Sequence, residues 1–92
     1  MGQKDQSLDG YVTERLTAAE SGRVEALYDL GLLYSTGQGV SQDYIEAHKW
    51  FNLAAIRGVK RAEIDRAEVA KDMDKIQISE AQKQARRWLD HH

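Results

Sequence analysis

Few residues of this 92-residue chain could do chemistry, and their spacing works against most of it. His48 stands alone on a helical stretch, with no carboxylate or thiol at ligand spacing, so no metal site assembles around it. The absence of cysteine excludes disulfides, Cys zinc sites and thiol catalysis together. No Ser-His-Asp set and no pair of buried carboxylates can be built, which leaves acyl transfer and general acid–base work without candidates. Gly37-Gln38-Gly39 has the glycines of a phosphate-cradling loop but neither its lysine nor its preceding strand. Asp43 and Glu46, three residues apart, read as an N-cap completed to a capping box. Arg57, Lys60 and Arg61 would suit an acidic peptide or a phosphate, yet they lack a wider basic field and read as a solvated turn. Trp50 and Phe51 are of the type that interfaces favour, but their register puts them in a core. What remains is non-covalent recognition, with no catalytic residue, cofactor or metal expected.

Composition narrows the partners. Net charge is −2, which offers no field for nucleic acid or an anionic membrane. No apolar run approaches the roughly 20 residues of a membrane span, and the first residues carry no signal-type hydrophobic segment. The cysteine-free composition fits the cytoplasm, and a periplasmic chain that has lost a leader would share it. Met1-Gly2 and His91-His92 are given no functional role.

The elements that must position these residues are helices. Proline is absent, and Ala, Leu, Glu, Gln, Arg and Lys are prominent. One stretch also returns at an offset of 36 residues: Ala18-Ala19-Glu20-Ser21-Gly22 becomes Ala54-Ala55-Ile56-Arg57-Gly58. Beyond the glycine, Ala26 falls on Ala62, Asp29 on Asp65 and Leu33 on Val69. A period of this length filled by two helical patterns signals stacked helical hairpins. Apolar spacing predicts a helix over 6–21 from Leu8, Val12, Leu16 and Ala19, with Arg15 an imperfect position in the stripe. The second, 23–35, is apolar on two sides and has Gly31 in its middle, where a neighbouring helix would approach closely. A third, 44–57, carries Tyr44, Ala47, Trp50, Phe51, Ala54 and Ala55 on one stripe. The fourth, 60–72, rests on Ala62, Ile64, Ala67, Val69 and Ala70. The last, 75–90, starts at an Asp74 cap with Gln77 and buries Ile78, Ala81, Ala85, Trp88 and Leu89. Trp88 either seals that end or helps pair two copies.

The block Glu25-Ala26-Leu27-Tyr28-Asp29-Leu30-Gly31-Leu32-Leu33-Tyr34, with Gly37-Gln38-Gly39-Val40, Gln42-Asp43-Tyr44, Glu46-Ala47, Lys49-Trp50, Ala54-Ala55 and Gly58, strongly resembles the Sel1-like repeat. That family is related to the tetratricopeptide repeat, and the resemblance is dense over 18–58 and softer over the tail from Met73 to Trp88. It implies an all-α, short right-handed α-α superhelix of about five antiparallel helices. Its units would be an N-terminal half repeat over 6–22, a full repeat over 23–58, and a degenerate repeat with C-terminal cap over 59–90. It also implies an adaptor that binds a protein or peptide along a concave face. The family register there falls on Glu25, Tyr28, Leu32 and Ser35, and in the degenerate repeat on Arg61, Ile64, Glu68 and Lys71. Tyr28 and Leu32 are equally explained as core under the first helix. Two alternatives stand beside the adaptor. One is a self-assembly module pairing as a homodimer around Trp88 and Leu89. The other is a small-molecule or cell-wall-fragment sensor with an apolar pocket beside Tyr28 and Tyr34.

Overall fold

The computed structural model describes residues 3–92, with side chains from residue 10 onward, so Leu8 lies outside the described side chains. Five helices build it: α1 Gln3–Glu20, α2 Val24–Thr36, α3 Tyr44–Ile56, α4 Lys60–Ala70 and α5 Lys75–His91. Every helix expected from the sequence is present, with its ends within three residues of the expected ones. The architecture is an all-α helical repeat solenoid. Its axis is α3, which packs against α2, α4 and α5, while α1 packs on α2.

The 36-residue repeat is a repeat of hydrogen bonds as well as letters. At the end of α1, Gly22 N–H donates to Ala19 O at 2.9 Å and Arg23 N–H to Ala18 O at 3.0 Å. At the end of α3, Gly58 N–H donates to Ala55 O and Val59 N–H to Ala54 O, both at 3.0 Å. Both pairs are Schellman closures, and they need φ of +91° and +99° at the two glycines. That geometry turns the chain identically twice, so α2 and α4 leave their turns in equivalent directions.

The largest fully buried side chains are Phe51, Leu27, Leu30 and Leu53, all from the α2–α3 hairpin. Gly31 is where they close up: a Cβ there would stand 2.9 Å from Phe51 Cγ. The close neighbour is thus an aromatic ring rather than helix backbone. Trp50, 4% exposed, is core as its register indicated.

Several expectations are refined. Arg15 interrupts the apolar stripe of α1 because its Nη1 donates to Asp29 Oδ2 at 2.9 Å, tying α1 to α2. Asp43 caps α3 by accepting from Glu46 N–H at 3.1 Å, but the reciprocal half of a capping box does not form. The Glu46 carboxylate is taken by Trp50 Nε1–H at 3.0 Å and by Lys49 Nζ at 2.9 Å. The box at Asp74 and Gln77 does form, with bonds of 2.8 and 2.9 Å. In α4, Ile64 and Ala67 are exposed rather than packed, because α3 covers one side of this helix and only Ala62 and Val69 are buried on it. Trp88 seals the C-terminal end. Its ring meets Trp50 edge-on at 6.0 Å and stacks on His92 at 3.9 Å.

Candidate functional site

Helices α2 and α4 are the first helices of consecutive hairpins, and α3 lies behind them. Between them opens a cleft of about 210 Å³ lined by Leu32 and Ser35 of α2, Tyr44 and Phe51 of α3, and Asp65, Glu68, Val69 and Asp72 at α4 and its end. Phe51 and Val69 are buried and form its floor, whereas Leu32 stands at the lip, 40% exposed. Leu32 also lines a second cleft with Tyr11 and Asp29, so it joins two depressions on one surface.

Three of the eight residues expected from the family register line the cleft: Leu32, Ser35 and Glu68. Tyr28 stands at its edge. Its ring packs on Phe51 at 5.6 Å between centroids, and its hydroxyl donates to Asp65 Oδ2 at 2.5 Å. Burial, then that bond, pushes the phenol above its ordinary range, so it remains the donor. Tyr28 is therefore a strut between α2 and α4, half core and half rim. Arg61 lies along the outside of α4 and reaches Asp65 only at 3.7 Å. Lys71 pairs with Glu68 at 3.3 Å in the open. Glu25 and Ile64 are exposed and line none of the clefts described.

Sequence reasoning missed Tyr44, Asp65, Val69 and Asp72, and it gave Phe51 to the core alone. The register had α4 presenting 61, 64, 68 and 71, whereas the cleft uses 65, 68, 69 and 72. On a helix of 3.6 residues per turn that is a rotation of roughly 70° toward α3. The 36-residue offset could not have found them, since it carries Glu25, Tyr28, Leu32 and Ser35 onto Arg61, Ile64, Glu68 and Lys71.

The chemistry here is that of contact. No three His, Cys, Asp or Glu side chains among the described residues stand close enough together to hold a metal ion. His48 is buried, with Nδ1 unpartnered, and burial followed by the charge of Arg66 holds its pKa below the ordinary histidine value. It is a neutral core residue of α3, outside the cleft lining. No helix of the described residues is long and apolar enough to cross a membrane.

Stacked helical hairpins with a cleft between successive first helices define a class, the α-helical repeat scaffolds. Residues 24–59 match the Sel1 repeat family, and the helical hairpins around that segment support a Sel1-like repeat fold for the chain. It is similar in structure to a protective antigen present in uropathogenic Escherichia coli strains that displays an SLR fold. The TM-score is 0.85 at 25% identity, over 90% of this chain and 18% of that one. This chain thus spans under a fifth of the length of that relative. No curated protein matches it. Sel1-like repeats are in general protein-interaction scaffolds, and the fold is a non-enzymatic one.

Proposed function

We propose that this protein is an adaptor that binds a segment of a protein partner in the α2–α4 cleft, by preformed shape rather than by chemistry. The observation that carries the reading is the cleft between two first helices, with the apolar Phe51 and Val69 at its floor and the exposed Leu32 at its lip. A groove held by packed helices spends little ordering entropy on its own side of an interface.

The volume argues against the sensor alternative, since about 210 Å³ is smaller than the ~300–1,000 Å³ typical of small-molecule sites. For self-assembly, Trp88 is already engaged with Trp50 and His92 inside the chain. What that reading retains is a groove of about 290 Å³ that includes Ile56, Leu89 and Arg86 between α3 and α5.

Leu32 is the residue to change, because Tyr28 also supports Asp65 and Phe51. Affinity capture with wild type and Leu32→Arg tests the site. Wild type should retain a stoichiometric protein that the variant loses, with helical content and melting unaltered. Equal retention by a folded Leu32→Arg protein would move the binding surface elsewhere.

A further inference from the structure

The cleft has a charge character that the chain as a whole lacks. Its lining contains three carboxylates, Asp65, Glu68 and Asp72, and no lysine, arginine or histidine. Yet the segment from Lys60 to Asp72 is balanced, with four basic and four acidic side chains. The helix sorts them by direction. Arg66 points to α3, where Nη1 donates to Asn52 Oδ1 at 2.5 Å. Arg61 lies outside, 70% exposed, and Lys71 touches Glu68 as an exposed i,i+3 pair. Asp72 makes no side-chain hydrogen bond or ion pair among the described residues, and only Asp65 is firmly held, by Tyr28.

We propose that the cleft receives a cationic side chain, arginine in preference to lysine, presented by an exposed segment of the protein partner. This rests on the groove reading above and specifies what fills it. An aliphatic stem would lie on Leu32 and Val69 while the charged head meets Asp65, Glu68 and Asp72, the division of labour that long basic side chains make on apolar surfaces. The cleft is the size of a side chain rather than of a free metabolite. A guanidinium fits best because its planar fork engages two carboxylates at once and stacks on an aromatic ring, here the half-buried Tyr44. The competing internal cations, Arg61 on Asp65 and Lys71 on Glu68, are both exposed and weakly committed. Exposed pairs such as Glu68–Lys71 contribute little, so a better-placed guanidinium displaces Lys71 readily.

The test uses two capped tripeptides, acetyl-Leu-Arg-Leu-amide and the same peptide with citrulline, the neutral isostere of arginine. Each is titrated into isotope-labelled protein while the backbone amides of Ser35, Val69 and Asp72 are followed by NMR. The arginine peptide should shift all three saturably. Citrulline, or the double variant Glu68→Gln with Asp72→Asn, should weaken binding roughly tenfold or more. Added salt should weaken the arginine peptide alone. Equal binding of the citrulline peptide would overturn the cationic occupant while leaving the groove intact. Absence of any shift with either peptide would also overturn it, and the groove is then judged separately by the Leu32→Arg capture. Shifts at the same amides on raising protein concentration, together with Arg86, would name a second copy's basic α5 as the occupant and equally overturn the proposal.

Discussion

Replacing Gly31 with alanine should destabilise this protein, although the same change inside a helix ordinarily stabilises. Alanine is better than glycine in a helix interior by about 1 kcal/mol. The added methyl would lie 2.9 Å from Phe51 Cγ and nearer still to two other ring carbons. Phe51 is 1% exposed and wedged between α2 and α3, so the ring has nowhere to retreat. Overpacking a core costs ~1–3 kcal/mol, and a clash with a buried ring belongs at the upper end. The net loss is then about 2 kcal/mol, equivalent to roughly 8–16 °C in Tm for a domain of this size. Gly10 supplies the control, because a Cβ there meets nothing within 4 Å. Gly10→Ala should raise stability by up to about 1 kcal/mol. Urea unfolding followed by far-UV circular dichroism measures both. The double variant Gly31→Ala with Phe51→Leu should recover part of the loss, a coupling that separates ring contact from a general helix effect. If Gly31→Ala matches or exceeds wild type, the account of α2–α3 packing is wrong. Because Phe51 floors the cleft, the variant should also weaken the arginine tripeptide.

Further outcomes follow from three single side chains. Tyr28→Phe keeps the ring on Phe51 and removes the hydroxyl bond to Asp65, so it should cost about 1 kcal/mol in urea unfolding; no change at all would deny the strut between α2 and α4. His48 has its pKa held below its ordinary 6.5 by burial and Arg66, so below that pH the unfolded chain binds the proton that the folded one resists. Stability should therefore fall as pH drops below about 6.5, and His48→Leu should flatten that slope. His92 works with the opposite sign: its pKa is raised by its bond to Glu20, so its contribution is present at low pH and fades as pH rises. An unchanged slope in His48→Leu would place the pH sensitivity elsewhere.

The helices were legible because each relies on local signals that nothing nearby contradicts. Gly22 and Gly58 close helices, Asp74 with Gln77 opens one, and Tyr44 to Ala54 keep a single stripe. The failures share a cause, competition from residues distant in sequence or off the local pattern. Glu46 has the right spacing for a capping box, but the indole of Trp50 one turn later claims it. Ile64 and Ala67 continue an apolar period that no further helix arrives to cover. The family register brought Leu32, Ser35 and Glu68 to the cleft, while Tyr44 and Asp72 enter it only because α3 lies behind and α4 ends beside it. Spacing along one helix fixes which residues share a face. It does not fix how far that face turns toward its neighbour.

The contact between Trp50 and Trp88 gives the molecule its own optical reporter. These are the chain's two tryptophans, and they meet edge to face across α3 and α5. Lys49 lies 4.6 Å from the Trp50 ring within α3 itself, whereas Arg57 at the end of α3 lies 5.8 Å from the Trp88 ring, so Trp88 has that cation beside it only while α5 is docked. Tryptophan emission therefore tracks the closing of the C-terminal cap, whereas helical dichroism sums over every helix. Where the two signals part company during unfolding, the last helix has left the scaffold before the repeat beneath it melts.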